Sequence, residues 1–311
     1  MPCFKPLTAI DKGTDPETGK KIIHFLKRFN HEHSIFIPDK GVEVIKLPCG
    51  QCIGCRIDRT KQWAIRCIHE SKLHNKNCFI TLTFNDEHLD SAGSLQKRDF
   101  QLFMKRLRKR FPNDNIRYYH CGEYGEQLNR PHHHACLFNF DFPDKKLLTI
   151  RNDIKLYESD ILKQLWSHPK TKESLGFHTI GEVTHDSASY VARYILKKIT
   201  GKTAPDHYQG RQTEYTTMSR RPAIGKEYYQ KYKKEIYQND FILHKEKFKA
   251  KPPKYYDKLY DLTNPEQYAI LKAQRKQKAE NDPDNSRSRL KVKEKIARKR
   301  IKQQKRSYHE T

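Results

Sequence analysis

Three consecutive histidines, His132-His133-His134, stand between Arg130-Pro131 and the apolar run Ala135-Cys136-Leu137-Phe138. The run predicts a strand over 132–140. Alternate residues of a strand share a face, so His132 and His134 point one way and His133 the other. Two imidazoles so placed can hold a divalent cation from one side and leave its remaining positions to a substrate. Further along stands Tyr190-Val191-Ala192-Arg193-Tyr194. On a helix, Ala188, Val191, Ala192, Ile195 and Ile199 form one apolar stripe, with Tyr190 and Tyr194 opposite it, one turn apart. Two such hydroxyls can take turns at one phosphate. The cations of Arg193, Lys197 and Lys198 favour phenolate and hold a phosphodiester. Each pattern alone also has a plain reading, a polar strand end or a pair of stacking tyrosines. The third group is Cys49, Cys52 and Cys55, all within seven residues. Thiolates at this spacing suit tetrahedral zinc, one ligand short of a closed site. Cys3 is the natural fourth, with Cys67 and His69 as alternatives and an iron–sulfur cluster as the other occupant.

The elements that position these groups follow from periodicity. Residues 57–74 read as a helix with Trp63, Ala64, Cys67 and Ile68 inward. A β-branched and aromatic run, Cys78 to Phe84, reads as a strand. Phe100, Phe103, Leu107 and Phe111 mark an amphipathic helix whose other face carries Lys105, Arg106, Arg108, Lys109 and Arg110. Strands over 116–124 and 132–140 flank a short connection. A helix at 159–166, a strand at 177–183 and a helix at 186–199 complete the order β-α-β-β-α-β-α. That order predicts an α+β fold, a ferredoxin-like (RRM-like) antiparallel sheet with helices on one face. Residues 1–56 read as an irregular segment ending in the Cys cluster, with 57–205 the catalytic domain. A basic Tyr-rich extension follows over 206–260, then a basic tail over 261–311. The last 27 residues hold eleven Lys/Arg against two Glu, a net of +9, as a solvated helix or as disorder that gathers on phosphates.

The 311 residues carry 62 Lys+Arg against 37 Asp+Glu, a formal net charge of +25. This length can bury a core, and the balance points to a polyanion, nucleic acid above all. No apolar run reaches the length of a membrane span, and the N-terminus has no apolar signal region. The clustered cysteines fit metal binding in a reducing compartment. Gly13 to Gly19-Lys20 only imitates a phosphate loop, since five residues part the glycines and Lys21 stands where Ser or Thr would bind magnesium.

Together, the His pair and the paired-tyrosine helix resemble the HUH endonucleases, in particular the rolling-circle replication initiators of small single-stranded DNA bacteriophages of the microvirus and gokushovirus type. Phe79 to Phe84 resembles the family's first motif, Gly122-Glu123-Tyr124-Gly125 with Pro131 to His134 its second, and Tyr190 to Tyr194 its third. Pro48 to Arg56 and Met218-Ser219-Arg220-Arg221-Pro222-Ala223-Ile224-Gly225 resemble the gokushovirus subgroup. Two positions depart from the pattern: His133 replaces a bulky apolar residue, and Arg193 stands where lysine is common.

The resemblance implies Mg²⁺ or Mn²⁺ on His132, His134 and an acid, Glu123 or in reserve Glu126. It implies Tyr190 and Tyr194 as nucleophiles with Lys197 beside them, a 5′-phosphotyrosyl intermediate, and religation of the circle. Arg193, Lys198, Arg220 and Arg221 would contact DNA, and Cys3, Cys49, Cys52 and Cys55 would hold a structural Zn²⁺. Single-stranded and nicked circular DNA, a host helicase and a DNA polymerase would be the partners, in the cytoplasm of a bacterial host and away from membranes. The competing reading is a non-catalytic zinc-containing nucleic-acid-binding or packaging protein. It explains the charge and the cysteines but needs neither the His pair nor the two tyrosines. A relaxase of the same superfamily is a third reading, less suited to the short chain.

Overall fold

The computed structural model describes residues 3–18, 20–26, 43–125, 128–193, 198–201, 203–244 and 248–303. The chain divides into two compact units, one built from the residues up to Asp58 together with those from Arg275, the other from Arg59–Gln274.

In the first unit, β1 (Leu7–Thr14), β2 (Lys21–Phe25) and β3 (Glu43–Leu47) form an antiparallel sheet in the order β2-β1-β3, where the sequence reading had irregular chain. Apolar residues in these strands do not sort by face, and Ile22, Phe25 and Val44 stay exposed, so no clean alternation marks them. The Cys segment leads into α1 (Ile53–Ser71), a helix whose remainder belongs to the second unit.

The second unit holds a seven-stranded antiparallel sheet. Its strands are β4 (Asn77–Thr83), β5 (Arg117–Tyr124), β6 (Pro131–Phe138), β7 (Lys146–Arg151), β8 (Ile154–Glu158), β9 (His178–Gly181) and β10 (Tyr215–Met218). The order β10-β5-β6-β4-β9-β8-β7 contains, as its middle four, the second-third-first-fourth arrangement of a ferredoxin-like sheet. The crossover helices α2 (Lys97–Arg110) and α3 (Asp160–Leu165) lie on one face, as expected. There Phe100, Phe103, Leu107 and Leu162 pack with Ile80, Leu82, Ala135 and Leu137. The opposite face is not bare. It carries α1 and α4 (His185–Ala192), through Ala64, Cys67, Ala188, Val191 and Ala192 against Phe79, Tyr119, Cys136 and Phe138. Helices on both faces follow from β4 and β6 being apolar at odd and even positions alike, so each face needs cover.

The Tyr-rich stretch is folded. After α5 (Ala204–Tyr208), β10 extends the sheet edge beside β5. Then α6 (Lys226–Asn239), the hairpin of β11 (Ile242–His244) with β12 (Phe248–Ala250), and α7 (Lys254–Thr263) follow. Ile65, Tyr229, Ile236, Tyr237 and Tyr256 close a separate apolar cluster there. Next come α8 (Pro265–Glu280) and, after a single 3₁₀ turn, the basic α9 (Arg287–Gln303), the latter in the first unit. No helix among the described residues is long and apolar enough to cross a membrane.

Candidate active site and metal centre

Register places the site. Glu123 of β5 sits opposite His132 of β6, and Cys121 opposite His134, so the acid and both outer histidines share one face of the sheet. On β4, Thr81 pairs with His134 from the other side. Deeper along that face come Cys136 and Phe138, which are core, so the histidines stand where core gives way to a functional surface.

Each outer histidine is oriented through Nδ1. His132 Nδ1 donates to the carbonyl of Arg130 at 2.7 Å, which leaves Nε2 of the neutral ring as the lone-pair nitrogen. The same carbonyl accepts from Gly125 N–H at 2.9 Å. A Cβ at Gly125 would come within 2.9 Å of the His132 ring, so the glycine is what admits this approach. His134 Nδ1 lies 3.0 Å from Thr81 Oγ1, and its Nε2 faces Glu123 Oε1 at 3.3 Å. The two rings are parallel within 1° with centroids 6.1 Å apart. Orientation through Nδ1 with Nε2 presented is the arrangement of metal-ligating histidines.

The nucleophile candidate arrives from above the sheet. A capping box between Thr184 and Ser187 starts α4 directly after β9, and Ala188, Val191 and Ala192 press it onto the apolar part of the face. Tyr190 is thereby held over the histidines, and its Oη donates to Glu123 Oε1 at 2.9 Å. Its ring meets His134 edge-on, centroids 4.9 Å apart. A groove of about 290 Å³ opens beside Tyr190, bordered by Phe79, Lys155, Glu182, Thr184 and Ser187. Tyr190, Glu123 and His134 are thus brought into direct contact. His132 joins them on the same face, although its nitrogens do not close with Glu123 and His134 into one tight cluster. Tyr194, Lys197 and Glu126 lie outside the described residues. Arg193 caps α4 and Lys198 is half-buried just beyond.

His133 faces the other way, fully buried. Its Nδ1 lies 3.1 Å from His120 Nε2, and His120 in turn meets Thr217 Oγ1 at 2.8 Å while stacking on Phe100 with ring centroids 3.6 Å apart. Desolvation drives His133 down to about 3 and His120 well below the usual imidazole range, with the neighbouring histidine rings adding to both. The imidazole takes the apolar residue's place as a neutral, flat core ring.

The 218–225 motif is a clasp. Arg66 donates to the carbonyl of Ile224 at 3.0 Å, and buried Glu70 accepts Gly225 N–H at 2.6 Å while pairing with Arg117, which reaches Pro222 O at 2.8 Å. Gly225 has φ +79°, and a Cβ there would strike Tyr256 Oη at 2.6 Å. Arg220 and Arg221 are exposed. Sequence reading missed Glu70, Arg117 and Thr81. The signal for the first two was an acid and an arginine inside otherwise apolar stripes.

The four cysteines converge. Cys3, Cys49, Cys52 and Cys55 place their Sγ atoms within 4.8 Å of one another, with Cys3 at 3.5 Å from Cys49 and 3.7 Å from Cys52. Tetrahedral thiolates bound at about 2.3 Å stand about 3.8 Å apart, so the donor set fits a metal ion. Amides of Phe4, Cys49 and Cys52 point at Cys52, Cys3 and Cys49 sulfurs at 3.4, 3.3 and 3.2 Å. Against a desolvation that raises it, the backbone amides of Cys55 and Phe4 bring the Cys52 thiol down to about 7. Among the alternatives, Cys67 is buried in the second unit's core and His69 hydrogen-bonds Tyr256.

The family model for replication-associated protein ORF2/G2P matches residues 77–199, from β4 past α4. The chain is 33% identical over 290 residues to replication-associated protein VP4 of Bdellovibrio phage phiMH2K, covering 90% of this chain and 83% of that one. It is 32% identical to replication-associated protein ORF2 of Spiroplasma virus 4, covering 83% and 80%, and 28% identical to replication-associated protein ORF4 of Chlamydia phage 1, covering 61% and 47%. No solved structure matches. The chain belongs to this family of phage replication-associated proteins. Its kinship is with the microvirus-type replication initiators that the motifs resemble.

Proposed function

We propose that the protein initiates rolling-circle replication as a metal-dependent nickase and strand transferase acting on single-stranded origin DNA. The observation that carries this is the contact of Tyr190 Oη with Glu123, which also faces His134. A tyrosine whose ring packs beside Phe79 while its hydroxyl is held over a His and carboxylate set suits phosphodiester chemistry. His132 Nε2, His134 Nε2 and Glu123 would hold Mg²⁺ or Mn²⁺, an ion that supplies charge stabilisation at the phosphoryl oxygens. Tyr190 Oη gives up its proton to water and bonds to phosphorus as the bond to the 3′-oxygen breaks, and the departing oxygen takes a proton from water. The products are a 5′-phosphotyrosyl link and a 3′-hydroxyl that a host polymerase extends. The groove beside Tyr190 offers room for a nucleotide, with Lys155 at its border. Tyr194 would act in the second cleavage with Lys197 as its partner, and Arg193, Lys198, Arg220 and Arg221 would contact the strand. Zn²⁺ on the four cysteines would be structural.

A covalent-adduct assay tests the reading. Full-length protein, Mn²⁺ and single-stranded DNA of the replicon encoding it are run on a denaturing gel beside Tyr190→Phe, Tyr194→Phe and the double variant. A metal-dependent DNA-linked band, lost only in the double variant, is expected. Tight binding with no adduct under any metal would leave the passive binding protein.

A further inference from the structure

The first unit contains its own cationic surface. In α9, Leu290 and Ala297 are buried, and they pack with Phe4 and Cys52 in a cluster that also takes in Cys3, Cys49, Ile53 and Cys55. Around the rest of its surface α9 exposes Arg287, Lys291, Lys295, Lys299 and Arg300, for which no acidic partner stands among the described residues, with Val292 and Ile296 exposed between them. The acids nearby are already engaged: Asp284 with Arg289 and Lys293, Glu294 with Arg298 and Lys5. An open cavity of about 550 Å³ beside the cysteines adds Lys5, Arg56 and Arg298 at its border.

We propose that this unit is a nucleic-acid backbone clamp, the exposed cations of α9 holding the phosphates of single-stranded DNA on a platform that the cysteine-bound metal assembles. Charge complementarity favours a polyphosphate over a protein partner, since a solvated helix gains nothing from a run of uncompensated cations. Dependence on the metal follows from the size of the platform. Four buried residues are too small a core to hold a helix of like charges, and only a shared ion would tie Cys3 to the Cys49–Cys55 turn beneath it. The clamp rests on the nickase reading only for the identity of the polyanion.

The test titrates full-length protein with a fluorescent oligo-dT strand over a range of NaCl. Variant Lys291→Gln/Lys295→Gln/Lys299→Gln/Arg300→Gln should lose about 3 from the slope of log affinity against log salt, at about 0.7 per single-strand contact, with affinity near physiological salt down about tenfold or more. Leu290→Asp, which unseats the helix and spares the thiols, should lose as much. Wild type stripped of its thiolate-bound metal should lose the same, and stripping the fourfold variant should subtract nothing further. Adduct formation at saturating origin DNA should stay unchanged in all three. An unchanged slope in the fourfold variant would overturn the clamp. A full slope in the stripped wild type would overturn its dependence on metal. Failure of the nickase reading shows separately, as absent adducts in wild type, and leaves the oligo-dT slopes readable.

Discussion

One strand of the sheet presents the same side chain to two different fates. His132 and His134, on one face, are turned through Nδ1, and His134 offers Nε2 towards Glu123. His133 between them, on the other face, is enclosed by His120, Phe100, Phe84 and Trp166 and kept neutral by desolvation. Chemistry here is assigned by face and by what the second ring nitrogen meets, not by residue type. A histidine count in the sequence would have weighed all three alike.

The contrast is sharpest under truncation. His134→Ala should lower adduct formation on the order of 10³-fold, since a held cation contributes several kcal/mol, and this loss should outweigh what truncating a buried ring costs in thermal stability. His133→Ala should do the reverse. It opens a cavity and strands His120 Nε2, costing about 3 kcal/mol in urea unfolding, with the adduct yield per folded molecule retained. If both variants lost activity alike at matched folding, the division between the faces would fail.

Acid acts on a further buried imidazole of the second unit. His69 is stacked on Tyr228 with its Nδ1 3.0 Å from Tyr256 Oη, and desolvation followed by the charge of Lys72 lowers it to about 3. The unfolded chain, near 6.5, therefore takes up the proton first. Stability from this group is complete above about pH 6.5 and drains as pH falls towards 3, by about 3 kcal/mol at pH 4. His69→Phe should flatten that limb of the unfolding free energy against pH, and an unaltered limb would show that other groups carry it.

The smallest effect belongs to orientation. Thr81→Val removes the oxygen at His134 Nδ1 and should weaken Mn²⁺ affinity about 10- to 100-fold, read by metal titration of adduct formation, without changing the tyrosine used.

Sequence alone located β4, β5, β6 and α3 to within a residue or two, and the core face of α2, because their apolar periods are regular. The His pair was legible because strand alternation dictates its face, whereas the helical stripe set Tyr190 opposite Ala188, Val191 and Ala192, and its ring in fact packs against their core cluster and reaches Glu123. That Cys3 is the fourth thiol, 46 residues from Cys49, could only be chosen as the natural candidate; spacing carries no information over such a span. The β7–β8 hairpin escaped because it is an edge ribbon with Leu147, Leu148 and Ile150 exposed, so no buried face imposes a pattern. Its signal was the turn, Asn152-Asp153, where both residues adopt positive φ, +49° and +63°. Membership of β10 in the sheet was equally hidden, since its four residues are recruited by β5 and not by any period of their own.

The first unit draws residues from both early and late in the chain, whereas the second is nearly continuous. During synthesis, then, the sheet with Tyr190 and its histidines can fold while the ribosome is still working, but the cysteine platform stays uncovered until residues 287–303 emerge. A product interrupted before α9 would hold the residues proposed for nicking yet lack the helix that completes the other unit.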